Sequence, residues 1–166
     1  GGTALSEMLN ILEGFDLKAL GYHSADYVHV LTEAMRRAYA DRAEHMGDPD
    51  FNPNLPLNKL TSKDYAAQLR KTISMDTVSR SDSSKFGQLY DGHSTTHLSV
   101  VDEQGNGVSL TYTLEQSYGS QVIADGLGFF LNDEMGDFNA VPGITTSIGQ
   151  IGSDPNQIKP GKRMLW

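Results

Sequence analysis

The sequence contains no cysteine among its 166 residues. That absence excludes disulfides, thiol nucleophiles and thiolate metal sites together, while fitting an exported protein as well as any other. No run of about 18 apolar residues occurs, so nothing in the segment reads as a membrane-spanning helix. Positive charge is sparse: 13 Lys and Arg stand against 21 Asp and Glu, a net charge of −8. Without a basic cluster the chain lacks the face that phosphate binding needs, which argues against a nucleic-acid partner. Proline is scarce at six residues, and with 17 glycines and 20% charged residues the composition describes an ordered, loop-rich chain. The opening Gly1-Gly2-Thr3-Ala4 has neither an initiating Met nor the basic start and apolar stretch of a signal peptide, so the chain reads as a fragment or processed segment.

What is present divides at about residue 94. The length suits one ordinary domain, and its first part is patterned for helices. Ala4 to Leu12 is a short apolar-rich stretch closed by Gly14. Ser24 caps a longer helix running to about Met46, with Tyr27, Val30, Leu31, Ala34, Met35, Ala38 and Arg42 on one stripe. Gly47-Asp48-Pro49 stops it. Residues 55–60 read as a loop broken by Pro and Asn, and Ser62 caps a third helix with Tyr65, Leu69 and Ile73 four apart. Residues 74–94 are polar and Ser-rich, the composition of a flexible linker. From Thr96 the period becomes alternating. Leu98 and Val100, the turn 102–107, then Val108, Leu110, Tyr112 and Leu114 describe a β-hairpin with Ser109, Thr111 and Thr113 on its polar face. Val122-Ile123 and residues 129–131 read as two more short strands. Beyond Phe138 the chain is a long Gly/Pro/Ser/Thr-rich loop. Acid is uneven: residues 95–166 hold eight acidic and three basic side chains, against thirteen and ten before them. That excess suits a cationic ligand group, and equally a solvated acidic surface.

The chemistry-bearing feature is His93-Ser94-Thr95-Thr96-His97, at the seam between linker and first strand. A Thr hydroxyl is a poor nucleophile unless a base sits beside it. A Thr that becomes the first residue of a chain supplies its own α-amino group, of pKa roughly 8, as that base. A cuttable bond before it, a strand after it and a hydroxyl-bearing neighbour are the requirements. On residues alone, Ser-Thr-Thr entering a strand is also ordinary, because Thr is a good strand residue. The other histidines, His23, His29 and His45, are too scattered for a metal site.

Thr95-Thr96-His97, Ser99-Val100-Val101-Asp102, Gly105-Asn106 and Thr111-Tyr112-Thr113 together resemble the start of the small subunit of γ-glutamyltransferases. Glu33-Ala34-Met35-Arg36, Ala40-Asp41-Arg42 and Gly47-Asp48-Pro49 are similar to the family's large-subunit helix. Leu131-Asn132-Asp133-Glu134-Met135, Asp137-Phe138, Pro142-Gly143 and Pro160-Gly161-Lys162-Arg163 continue the likeness in order. The resemblance implies an α+β fold, the four-layer αββα sandwich of N-terminal-nucleophile hydrolases, of which this chain is a partial segment. It implies a large-subunit part in 1–94 and a small-subunit part in 95–166, joined as a heterodimer after autocleavage between Ser94 and Thr95. Thr95 is then the nucleophile, Thr113 the hydroxyl that orients it, and Glu115, Glu134 and Asp137 the acceptors for the α-amino group of a glutathione-like substrate. Water or an amino acid accepts the γ-glutamyl group. No metal or organic cofactor is implied, and relatives act in a periplasmic or secreted setting.

Departures accompany the likeness. Glu115 stands where many relatives carry Asn, and Glu134 where some carry Gln, making the pocket more negative. Residues 142 to about 156 resemble a lid loop, with Ile148 where an aromatic gate is common. Trp166 stands where a carboxylate-binding serine is expected. The arginine that clamps the substrate carboxylate would precede Gly1, and the oxyanion-hole glycines would follow Trp166. Losing oxyanion donors alone costs roughly two to three orders of magnitude in rate, so these 166 residues by themselves are expected to be inactive. Two rival readings remain: a related acylase for β-lactam side chains or poly-glutamate, and a non-catalytic interaction domain.

Overall fold

The computed structural model describes residues 1–80, 95–139 and 154–164. Ser94, most of the lid-like loop with Ile148, and Trp166 therefore fall outside the described residues. Helices fill the first part and a two-stranded sheet the second. No helix among the described residues is long and apolar enough to cross a membrane.

Three of the five helices begin where a short polar side chain meets a free backbone donor. α1 spans Gly2–Leu12, α2 Leu17–Leu20, α3 Ala25–His45, α4 Leu57–Leu60 and α5 Lys63–Arg70. Ser24 accepts from the Tyr27 amide and Ser62 from the Tyr65 amide, the N-cap geometry expected of both serines. Asp16 does the same for Ala19 and starts α2, a single turn that lacks the apolar period and was not anticipated. The stretch 55–60, expected to be loop, tightens into the one turn of α4. Ile11, Ala34 and Ala66 form the buried centre where α1, α3 and α5 meet, with Leu12, Phe15, Leu69 and Ile73 around it. Each fully buried large apolar side chain there contributes roughly 1.5–3 kcal/mol. The α3 stripe is corrected at Met35, which is 40% exposed, whereas Glu33 is buried in its place. Gly14 follows α1 at a point where space is short. A Cβ there would overlap the Arg70 guanidinium. That guanidinium donates to the Ile11 and Asn10 carbonyls at 3.0 Å each, satisfying the end of α1.

The start of the polar stretch is tied down, not loose. The buried Glu33 carboxylate accepts from the Ser79 amide at 2.9 Å and from Arg37 at 2.6 Å, and His29 bonds the Ser74 carbonyl at 2.8 Å. Residues 74–80 of the stretch read as linker thus bond to α3; residues 81–94 lie outside the described residues.

β1 (Thr95–Val101) pairs antiparallel with β2 (Gly107–Thr113). The turn between them is organised by Asp102, whose carboxylate accepts from the Gln104 and Asn106 amides and from the Asn106 side chain. Leu98, Val100, Val108, Leu110 and Tyr112 stay exposed on the apolar face. The two extra strands expected at 122–123 and 129–131 reduce to one isolated bridge, Ile123 with Phe130.

Candidate active site

The hairpin register brings the two threonines together. Thr95 lies directly opposite Thr113, His97 opposite Thr111 and Ser99 opposite Ser109. Residues facing each other across an antiparallel pair share one side of the sheet, with Cβ atoms about 4.5–5.5 Å apart. Alternation sends Thr96, Leu98 and Val100 to the other side. One face is therefore a ladder of hydroxyls around an imidazole. His97 bonds the Thr111 hydroxyl at 2.8 Å through Nδ1, and the Ser109 and Ser99 hydroxyls at 3.1 and 3.2 Å through Nε2. The imidazole is occupied within the ladder, in keeping with a structural role. Thr113 Oγ1 accepts from the Glu115 amide at 3.0 Å. That bond uses a lone pair and leaves the Thr113 hydroxyl hydrogen available to donate.

Three carboxylates converge beyond the end of β2. Glu115 follows the strand by two residues, while Glu134 and Asp137 sit at the two ends of a 3₁₀ turn, Glu134–Asp137. Their oxygens approach within 4.8 Å of one another. The local fold forces this closeness. Asp133 donates its amide to the Leu114 carbonyl and accepts from the Gln116 amide at 3.1 Å, which staples the turn to the strand end. Glu115 also holds a left-handed φ of +74°, a conformation that costs a non-glycine residue about 1–2 kcal/mol.

Crowded like charges resist ionisation. Asp137 is pushed up to about 6, by burial first and then by Glu115 and Glu134, with Arg42 on α3 pulling the other way. Glu134 is raised by burial, Glu115 and Asp133, and Glu115 by burial and Asp133. One oxygen of Asp137, Oδ2, is buried and has no hydrogen-bond partner. Among the described residues this trio is the group of acids placed to hold a cation. Three acceptors match the three N–H donors of an ammonium. A hard metal ion would want six or more oxygens, and these side chains alone supply fewer unless they chelate.

The site residues expected from the sequence thus fall in two neighbouring clusters, Thr95 with Thr113 and Glu115 with Glu134 and Asp137. Ser94 lies outside the described residues. Three contributors carried no site signal in the sequence: Asp133, which staples the trio; Arg42, which acts on Asp137 from α3; and Asn156. The last is fully buried, donating its side-chain amide to the Asp137 carbonyl at 2.6 Å and accepting the Asn139 amide at 3.0 Å. Their roles depend on separations of about 20 residues or more, which no local motif encodes.

A sequence model for the family described as Gamma-glutamyltranspeptidase matches residues 1–166. The chain is 48% identical over 166 residues to a glutathione hydrolase proenzyme of Pseudomonas sp. strain A14, and 45% identical over 167 residues to that of Pseudomonas aeruginosa. Each alignment covers 99% of this chain and 29% of the relative, so the chain spans under a third of the length of these relatives. The cephalosporin acylase of Bacillus halodurans superposes over 99% of this chain and 26% of its own, with a TM-score of 0.68 at 24% identity. At that identity the likeness speaks for the fold alone, an α+β arrangement. On the match along its whole length and on these identities, the chain belongs to the gamma-glutamyltranspeptidase family.

Proposed function

We propose that this chain carries the reaction centre of an enzyme that transfers γ-glutamyl groups from glutathione-like amides to water or to an amino-acid acceptor. The observation that carries the reading is the pairing of Thr95 with Thr113, with Glu115 two residues beyond the end of that strand. One short segment thereby sets a hydroxyl pair beside a cation-binding trio.

The precursor bond between Ser94 and Thr95 is cut first. Thr95 Oγ adds to the Ser94 carbonyl, the peptide C–N bond breaks as the Thr95 nitrogen takes a proton, and water hydrolyses the resulting ester. A carboxylate is left on Ser94 and a free amine on Thr95. In turnover that amine accepts the Thr95 hydroxyl proton as Oγ attacks the γ-carbonyl of the substrate. Thr113, its acceptor side engaged by the Glu115 amide, donates its hydroxyl hydrogen to Thr95 Oγ and orients it. The leaving amine takes a proton, and a γ-glutamyl ester remains on Thr95 until water or an acceptor amine displaces it. Throughout, Glu115, Glu134 and Asp137 hold the substrate ammonium, which also relieves their mutual repulsion.

Residues 1–94 and 95–166 act in this reading as parts of a large and a small subunit in an exported enzyme. Charged and polar bonds between the 46–56 loop and residues 154–164 would keep the two parts together after the cut. A related acylase is the second reading. It would act on a glutaryl side chain, which carries no ammonium, and so leaves the trio without a task.

Thr95→Ala in the full-length protein tests the proposal. Intact mass should show an uncut chain, and γ-glutamyl-p-nitroanilide turnover should vanish. Unchanged cleavage with unchanged turnover would overturn it. Wild-type activity on glutaryl-p-nitroanilide alone would hand the site to the acylase reading.

A further inference from the structure

Residues 154–164 form a strap that touches both parts of the chain. At one end Arg163 is locked onto Asp48, in the loop that follows α3. The Asp48 carboxylate, 1% exposed, accepts from the Arg163 backbone amide at 2.8 Å, Nε at 3.1 Å and Nη2 at 2.6 Å. These bonds hold the Asp48 carboxyl far below the usual carboxylate range. Beside them Asn52 donates to the Pro155 carbonyl at 3.0 Å, and Gly47 packs so tightly that an added Cβ would stand 2.4 Å from that same oxygen. At the other end Asn156 reaches the backbone of Asp137 and Asn139, extending a parallel bridge between Asn139 and Gln157. Phe138, between those two residues, is buried.

Asp137 sits at the end of a single 3₁₀ turn, and one turn cannot hold a side chain to the tolerance that ion recognition needs. Its partners Glu115 and Glu134 push against it, and Oδ2 has no donor of its own. Its carbonyl, by contrast, is gripped by Asn156, and the strap carrying Asn156 is anchored to the α3 side through Asp48 and Arg163. We infer that Asn156 is a positioning residue for the ammonium-binding subsite, and that the Asp48–Arg163 clamp acts through it to fix Asp137. The inference rests on the assignment of the trio to the substrate ammonium.

The test uses the full-length mature enzyme with Asn156→Ala and Arg163→Met; in the latter the residue 163 backbone amide can still donate to the Asp48 carboxylate. Competitive inhibition constants are measured for L-glutamate and for glutarate, which differ in the ammonium alone, together with kcat and KM for γ-glutamyl-p-nitroanilide. Asn156→Ala should weaken L-glutamate about tenfold or more, the range set by one buried hydrogen bond. It should raise KM similarly, leaving kcat and the glutarate constant within about threefold. Arg163→Met should move the same quantities in the same direction by a smaller factor. An equal loss for glutamate and glutarate, or no loss for either variant, overturns the positioning role. If Asn156→Ala does not mature, the same two outcomes are read on Arg163→Met. A wild-type enzyme that fails to prefer glutamate over glutarate refutes the ammonium assignment itself, a result distinct from failure of the strap.

Discussion

Replacing Glu115 by Gln should have two opposite effects on ligand binding, and the pair together is diagnostic. The change removes one negative charge within 4.8 Å of the other two carboxylates and keeps the side-chain shape. By Coulomb's law two unit charges at that separation interact by about 3.5 kcal/mol at an effective dielectric of 20 and by about 0.9 kcal/mol in bulk water. In proton affinity this is a downward shift for Asp137 of roughly 0.6 to 2.5 units. The trio is only partly buried, so about one unit is expected. Asp137 starts near 6, because burial, Glu115 and Glu134 raise it against Arg42. An ammonium is held by ionised carboxylates, so wild-type affinity for L-glutamate should weaken as pH falls through about 6. In Glu115→Gln that bend should move down by about one unit. Above pH 7, past the Asp137 bend, the variant has lost one attraction and should bind several-fold more weakly. The two curves therefore converge as the pH falls. Competitive inhibition measured from pH 4.5 to 8.5 reads both effects, and the titration of glutamate itself cancels in the ratio of variant to wild type. An acid bend that stays in place or moves up would refute the electrostatic coupling of the trio.

Two further outcomes concern the scaffold. Glu7, 1% exposed, is raised from 4.5 to about 8 by burial first and then by Asp41, against a weaker pull from Lys59. The folded state thus keeps a proton that the unfolded chain releases, so the contribution of Glu7 to stability is full below about pH 4.5 and is lost as pH climbs through 8. Glu7→Gln should flatten that slope, stabilise the fold at pH 8.5 by on the order of a few kcal/mol and so raise the melting temperature there relative to wild type; parallel slopes would contradict the assignment. Gly47→Ala drives a Cβ onto the Pro155 carbonyl and should cost about 1–3 kcal/mol, with a fall of several degrees in thermal unfolding. An unchanged melt would mean that the strap does not pack there.

Much of this was legible in the sequence because it is local. Ser24 and Ser62 mark helix starts through bonds spanning three residues, and the alternation on either side of residues 102–106 dictates a hairpin. The register follows from the short turn, and with it the meeting of Thr95 and Thr113 across 18 positions. What was not legible depends on distant partners or on absent pattern. α2 and α4 are single turns, too short to show a period. Met35 fell on the apolar stripe of α3, yet Glu33 is buried there because Ser79 and Arg37 satisfy it from elsewhere. Asp48 read as a helix-stopping residue, although its partner lies 115 positions away. Short motifs identify the chemistry, and long-range polar bonds place it.

The clustering of Glu115, Glu134 and Asp137 makes little sense as a device for stability. Three carboxylates this close oppose their own ionisation, Glu115 bears a left-handed backbone, and an oxygen of Asp137 is buried without a donor. A chain selected only to fold would separate them, since each could face water at no cost. Instead Asp133 and Asn156 hold the group together from two sides. Unfavourable electrostatics maintained by dedicated hydrogen bonds is what a cation-binding site looks like before its ligand arrives, because the ligand's charge cancels the repulsion and supplies the missing donor. Asp133 brings the acids together at the strand end, and Asn156 ties Asp137 to the strap anchored at Asp48. On the proposed function, damage to the strap should weaken ammonium recognition before it slows acyl transfer at Thr95.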